Sequence, residues 1–90
     1  MSDAAAEILR HLGGYRFQTS THARNFSYPQ NGLRFRIPSK QGDDDVMIIA
    51  TQDTFSLTVR RAQKVIADLS GVTAAQLADT FWAAIKGVQI

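Results

Sequence analysis

Apolar and polar side chains alternate in two stretches near the middle of the chain. In the first, arginines separate Leu33, Phe35 and Ile37, and the second, Phe55–Arg60, alternates in the same way. A two-residue period is typical of a β-strand with one buried face and one face in solvent. The two stretches therefore predict a sheet that is covered on one side only.

Three more segments are predicted as strands. Tyr15–Ser20 alternates aromatic and polar residues, Val46–Thr51 is apolar on both faces as a central strand would be, and Lys64–Leu69 is the last strand. Thr21–Gln30 is predicted as a long irregular loop because most of its residues are polar. The dipeptide Asn31-Gly32 that follows is a strong turn signal.

Helical periodicity occurs at both ends of the chain. The first helix, Asp3–Leu12, is predicted to end at Gly13-Gly14, since glycine adopts the left-handed capping conformation without steric cost. The last helix is predicted to begin at Thr73, which is followed three residues later by Gln76 as in a capping box. Its apolar stripe includes Leu77, Phe81 and Ile85.

This order of elements predicts a single α+β domain over residues 1–90. We expect an N-terminal helix, a four- or five-stranded antiparallel meander and a C-terminal helix, because the links between strands are short. Each helix has one apolar face, so both should pack on the same side of the sheet.

Composition excludes several classes of protein. The chain of 90 residues has no cysteine, which rules out disulfides, zinc sites with thiolate ligands and cysteine nucleophiles. Its longest apolar run is far shorter than the about 20 residues that a membrane helix needs, and no signal peptide is visible. We therefore expect a soluble cytoplasmic protein. A domain of this size leaves no room for a large cofactor, and none is expected.

Basic residues are unevenly distributed along the chain. The net charge is only +2, but residues Ile8–Gly42 contain no Asp or Glu. A polarised chain of this kind has a local positive field even when its total charge is small. The basic residues of this stretch are Arg10, His11, Arg16, His22, Arg24, Arg34, Arg36 and Lys40.

Strand alternation predicts that several arginines share the uncovered face of the sheet. Guanidinium groups suit phosphate or carboxylate because they donate two parallel hydrogen bonds. Aromatic side chains in the predicted loop could stack on exposed bases. The candidate binding residues are Arg16, Arg34, Arg36 and Arg60 on the sheet, with His22, Arg24, Asn25, Phe26 and Tyr28 in the loop. Three interpretations stay open for this face: simple solvation, an acidic protein partner, and nucleic acid.

Two further patterns bear on catalysis and metal binding. General acid–base catalysis usually needs a histidine or a paired carboxylate in a pocket. His11 is interpreted as a surface or capping residue near the end of the first helix and His22 as a residue of the loop, so no catalytic site is predicted and we expect a protein that is not an enzyme. Asp43-Asp44-Asp45 lacks the alternating acids and later glutamate of a calcium loop. These acids are predicted to be solvated in a turn, and no metal site is expected.

Three apolar residues do not fit a sheet with one solvated face. Met47 and Ile49 lie on the face that should be polar, and Trp82 lies one step off the apolar stripe of the last helix. Either the predicted loop and the core edge cover them, or they form the interface of a homodimer.

An ordered series of short motifs runs through most of the chain: Leu12-Gly13-Gly14, Phe17, Thr21, Ala23, Asn25-Phe26, Leu33, Asp53-Thr54-Phe55, Gly71-Val72, Leu77 and Phe81. This series resembles a family of short proteins of uncharacterised function encoded by bacteriophages and prophages. The resemblance implies a bacterial host cytoplasm as the setting and supplies no activity. Together with the basic face, it leads us to expect a small accessory protein that binds a host protein or nucleic acid.

Overall fold

The computed structural model describes residues 3–38, 43–61 and 64–89, with side chains through residue 85. It contains three helices and five strands within these ranges. The elements are α1 Asp3–Leu12, α2 Tyr15–Thr21, β1 Arg24–Ser27, β2 Gly32–Ile37, β3 Asp44–Ala50, β4 Phe55–Arg61, β5 Lys64–Val72 and α3 Ala74–Gln89.

The five strands form one antiparallel sheet in the order β1-β2-β3-β4-β5. Every strand therefore pairs with its neighbours in sequence, as the short links between strands predict. Both terminal helices lie on one side of the sheet, where α1 packs against β2 and α3, and α3 packs against β4 and β5. The predicted α+β class and the meander are confirmed.

The core lies between the sheet and the helices, and aromatic rings form its centre. The ring of Phe35 on β2 makes edge contacts with Phe17, at 5.1 Å between centroids, and with Phe81, at 6.1 Å. All three side chains are almost completely buried. The aliphatic part of the core consists of Ala5, Ile8, Leu12, Leu33, Ile37, Val46, Ile48, Leu57, Val59, Val72, Leu77 and Ile85.

The predicted strand Tyr15–Ser20 is wrong, because this segment forms α2. Gly13 and Gly14 both have positive φ, and the turn they make places a second helix directly after the first. Phe17 and Thr21, four residues apart, are its buried residues, which is helical spacing. Tyr15, the other aromatic residue of the alternation, is 79% exposed.

The predicted loop Thr21–Gln30 is also wrong in part, because it contains the edge strand β1. The buried Thr21 hydroxyl donates to the Phe17 carbonyl at 2.8 Å and accepts from the Ala23 amide at 3.2 Å, which fixes the chain as it leaves α2. His22 then adopts the left-handed conformation at the end of that helix. The chain consequently turns back along β2.

Both edge strands of the sheet contain bulges. On β1 an extra residue lies between the pairs Arg24–Arg36 and Ser27–Arg34, next to Asn25 with φ 57°. On β5 the pairing with β4 slips twice, and Gly71, with φ 68°, lies at one of these slips. Bulges interrupt the regular ladder that another strand would need for pairing. Both free edges are therefore irregular.

The helices are short compared with a membrane-spanning helix. Across the described ranges, none of them combines the length and the apolar character needed to span a membrane. The longest is α3, with 16 residues.

Candidate binding face of the sheet

The side of the sheet opposite the helices, called here the open face, presents a row of charged residues. Asp45 on β3 pairs directly with Arg36 on β2 and with Arg60 on β4. Directly paired residues point to the same face, with their Cβ atoms about 5 Å apart. The carboxylate of Asp45 therefore lies between two arginines.

A third arginine binds this carboxylate. Arg34 Nε donates to Asp45 Oδ1 at 3.0 Å, and Arg34 Nη2 makes a shorter contact with Oδ2. This hydrogen-bonded pair lowers the pKa of Asp45 below its ordinary value, and the positive charges of Arg36 and Arg60 add to that shift. The same contact raises the pKa of Arg34. The pair is therefore ionised across the neutral pH range.

Arg36 and Arg60 differ from Arg34 in their contacts. Both are exposed, and neither has a hydrogen bond or an ion pair with a carboxylate in residues 3–38, 43–61 or 64–85. Within the described residues, no carboxylate is hydrogen-bonded to either guanidinium group. Because both side chains start from paired strands, their Cβ atoms are held about 10 Å apart, two strand spacings.

A shallow depression lies beside this row. Its volume is about 80 Å³, and it is lined by Arg34, Asp45, Met47, Thr58 and Arg60. Pockets for drug-sized ligands have volumes of roughly 300–1,000 Å³. The depression can therefore accept one small group of a partner, such as a carboxylate or a methyl group, and is too small for an organic cofactor.

The apolar residues of β3 on the open face have different surroundings. Ile49 pairs with Gly32, and a Cβ atom at Gly32 would lie 2.4 Å from Ile49 Cδ1 and 3.4 Å from Pro29 Cγ. The Ile49 side chain therefore lies against the backbone of Gly32 and is half-buried. Met47 instead lines the depression and remains half-buried.

Several of the predicted binding residues do not reach the open face. Arg16 belongs to α2, so its predicted place on the sheet is wrong, and it is exposed on the helical side of the domain. Phe26, predicted to stack on bases, contacts Phe35 at 5.7 Å between ring centroids and packs against the core. His22 and Asn25 hold positive-φ positions at either side of the start of β1.

Arg24 and Tyr28 lie at the two ends of β1. Arg24 pairs in register with Arg36, and its Nη2 donates to Asp43 Oδ2 at 3.1 Å. Tyr28 follows the strand and is 50% exposed. The structure thus brings Arg24, Arg34, Arg36 and Arg60 together on one face, with Tyr28 beyond its edge.

The prediction that Asp43-Asp44-Asp45 is solvated in a turn is wrong. Asp44 begins β3 and is completely buried on the helical side, where Arg61 Nε donates to its Oδ1 at 2.8 Å. Asp43 and Asp45 each contact a different arginine. The reason is strand parity, since Asp44 points to the same side as Val46 and Ile48.

Sequence reasoning missed the Asp44–Arg61 pair, and it also missed the role of Asp45 among the arginines. Parity with Val46 could have indicated that Asp44 is buried. Successive residues of a strand point to opposite faces, so the three acids do not converge. In the ranges that the structure describes, no group of three or more His, Asp or Glu side chains could hold a metal ion.

His11 and Trp82 both lie on the helical side. The His11 ring contacts Phe55 edge-on at 6.0 Å, and its Nε2 lies 3.5 Å from Glu7 Oε1. The Trp82 ring packs on Phe81 at 5.2 Å and is partly buried against the core. Packing within the domain therefore accounts for part of the surface of each ring.

Searches against protein-family models, curated proteins and solved structures found no match to this chain. The geometry of the open face is therefore the basis for the proposed function. What distinguishes that face is the row of Arg36, Asp45 and Arg60, with Arg34 bound to the central carboxylate.

Proposed function

We propose that the chain is a small binding protein without enzymatic activity, and that its open face recognises an acidic surface of another macromolecule. One observation supports the proposal above all. Arg36 and Arg60 lie on the two strands that flank Asp45, and in the described part of the chain neither forms a hydrogen bond or an ion pair with a carboxylate. Guanidinium groups in such a position can each form a bidentate contact with a carboxylate or phosphate. The resemblance to short phage-encoded proteins implies a partner in the cytoplasm of a bacterial host.

The sheet supports such recognition by limiting the movement of the arginines. The backbones of β2, β3 and β4 are paired on both sides, so the Cα positions of Arg34, Arg36 and Arg60 are fixed relative to one another. A preorganised surface loses less conformational entropy on binding than a mobile one. The open face therefore suits a partner better than an arginine-rich loop would.

A binding role without catalysis is also favoured by where the histidines lie. His11 packs against Phe55 on the helical side, and His22 ends α2 with its side chain in solvent. Neither is near the depression that Arg34 and Asp45 line. A general acid or base must lie within hydrogen-bond reach of a bound substrate.

The alternative is a structural homodimer. It is favoured by Val65 on β5, which is 46% exposed and pairs with Arg60, so that an exposed apolar side chain stands beside the arginine row on the open face. Light scattering between micromolar and millimolar concentration tests it. A monomer mass throughout would exclude the homodimer, and a dimer that Val65→Asp dissociates would favour it over recognition of another molecule.

The proposal is tested with tagged protein in a bacterial lysate, with and without nuclease. The test variant carries Arg36→Ala and Arg60→Ala. The matched control carries Arg10→Ala and Arg16→Ala, which remove the same charge from exposed positions on α1 and α2. We expect the control to retain the captured molecule and the test variant to lose it.

The nuclease arm separates the two kinds of partner. Capture that survives nuclease identifies a protein, and capture lost with nuclease identifies a nucleic acid, whose binding should also weaken steeply with salt. If both variants capture as much as the unmodified protein does, the open face is not the binding surface and the proposal is wrong.

A further inference from the structure

We propose that Asp45 is a specificity-determining residue, which makes the open face select an acidic protein segment with apolar residues over a nucleic-acid strand. This inference rests on the proposed function, because it concerns the same face. It names the class of partner that the face accepts and the residue that excludes the other class.

Asp45 lies where a ligand that contacts both arginines would have to pass. It is the central residue of the row, directly opposite Arg36 on one side and Arg60 on the other. A strand of phosphates that contacts both arginines must cross the carboxylate between them. Each unit of such a strand carries a negatively charged phosphate, and like charges brought together at an interface disfavour binding.

Two other acids reinforce this barrier at the margins of the face. Asp43 lies next to Arg24, with an Oδ2–Nη2 distance of 3.1 Å, and Asp68 on β5 is exposed opposite Thr58. The open face therefore carries acids as well as arginines, with Asp45 inside the arginine row and Asp43 and Asp68 at its margins. A mixed pattern of this kind complements a protein surface, which can carry both charged and neutral groups, better than it complements a uniform polyanion.

Within the strands that the structure describes, the open face presents no aromatic ring on which a base could stack. Sequence-tolerant binding of single strands depends on aromatic rings on which bases stack. On the part of the sheet that the structure describes, Phe26 is the aromatic residue of β1, and its ring packs on Phe35 in the core. Tyr28 is exposed, but it lies after the end of β1.

Met47 provides the matching apolar contact for a protein. It lines the depression beside Thr58, one row from Asp45, and is half-buried. Arginine and methionine are both enriched in protein–protein interfaces. A segment that places an apolar side chain against Met47 and carboxylates near Arg36 and Arg60 would satisfy all three without facing Asp45 with a negative charge.

Removing the carboxylate should therefore change the selectivity of the face. Asp45→Asn removes the central negative charge and also releases Arg34 from its bidentate contact. The number of available guanidinium groups in the cluster rises from two to three. For single-stranded nucleic acid, each additional phosphate contact steepens the dependence of log affinity on log salt by about 0.7.

The test is a titration of isotope-labelled protein, followed by NMR, with two defined probes at low salt. One probe is a 12-residue peptide of glutamate, leucine and serine, and the other is a 12-nucleotide oligothymidine. The variants are Asp45→Asn, Asp45→Ser and the control Asp79→Asn, which makes the same charge change on the exposed side of α3. The amide spectrum of each variant verifies that it is folded.

We expect both Asp45 variants to bind oligothymidine about tenfold or more tightly than the unmodified protein does, with a steeper salt dependence. For the peptide the change should be at most about threefold, and Asp79→Asn should change neither affinity beyond that. Equal gains for the two probes, or no gain for oligothymidine, would overturn the assignment of Asp45.

The two proposals fail in different ways. If Asp45 is not a specificity residue but the open face does bind, Arg36→Ala with Arg60→Ala still abolishes peptide binding. If the face does not bind at all, signals from β2, β3 and β4 do not shift with either probe in any variant, and the proposed function is wrong as well.

Discussion

Asp44 and Asp45 are neighbours in β3, and each forms two hydrogen bonds with one arginine, but they lie on opposite sides of the sheet. Asp44 contacts Arg61 on the helical side, where its own side chain is 0% exposed and that of the arginine 13%. Asp45 contacts Arg34 on the open face, where the exposed fractions are 20% and 49%. The chemical groups are the same, and solvent is what differs.

This difference shows that one kind of ion pair can have two roles. Burying both charges of a pair costs desolvation energy that their attraction only roughly returns, so the Asp44–Arg61 pair adds little net stability and instead penalises any arrangement that separates its members. Since the two residues are directly paired, it fixes the register of β3 on β4. The Asp45–Arg34 pair is weak and leaves its arginine available to solvent.

The largest expected effect comes from breaking the buried pair. Arg61→Met leaves the Asp44 carboxylate buried without this partner and should lower the free energy of unfolding by about 3–5 kcal/mol. Urea unfolding followed by circular dichroism measures this. A loss below about 1 kcal/mol would show that the buried carboxylate finds other donors or solvent, and the contrast between the two pairs would then fail.

A double replacement sharpens this result. Asp44→Val with Arg61→Met removes both charges and should restore most of the stability that the single change loses, to within about 1–2 kcal/mol of the unmodified protein. The coupling energy from the double-mutant cycle measures the interaction. Purely additive losses would contradict the view that the two side chains act as one unit.

The exposed pair should give a much smaller effect. Arg34→Ala should cost less than about 1 kcal/mol, and the loss should shrink further in 1 M salt, because exposed charges are screened. The same denaturation experiment at two salt concentrations tests this. A loss as large as that of Arg61→Met would place the two pairs in one energetic class.

The smallest expected effect is a pH dependence of Asp45. Its pKa in the folded chain is depressed by the hydrogen bond from Arg34, so the stability that this group contributes is complete above its unfolded pKa of about 4. That contribution disappears as the pH falls through the depressed pKa, when the carboxylate is protonated in both states. The stability difference between the unmodified protein and Asp45→Asn should therefore be constant from pH 7 to 5 and diminish in stronger acid.

Much of the fold could be predicted, because in β2, β4 and α3 the periodicity of the sequence agrees with the packing of the folded chain. In β2 and β4 the buried residues alternate as the sequence does, and α3 begins directly after Thr73, the predicted cap. Where the two disagree, prediction failed. Tyr15 and Phe17 alternate as in a strand, yet the glycines before them lead into a helix that buries Phe17 and exposes Tyr15.

The candidate site was less predictable, because it depends on which strands are neighbours and in which register. Alternation alone correctly places Arg34, Arg36 and Arg60 on one face. It does not show that β3 lies between them or that Asp45 stands opposite two of them, since register comes from the packed sheet. The bulge at Asn25 likewise turns Phe26 toward the core. The residues around Phe26 are polar, so the sequence gives no alternating pattern from which this orientation could be predicted.

The bulges on β1 and β5 also affect how copies of the domain can associate through their edge strands. Irregular ladders at both margins disfavour pairing with the edge strand of another copy, and so disfavour extension of the sheet into a fibre. Under the proposed function, a partner would attach to the broad side of the sheet, where the described residues form one arginine cluster. That proposal therefore predicts complexes of defined stoichiometry rather than open-ended assembly.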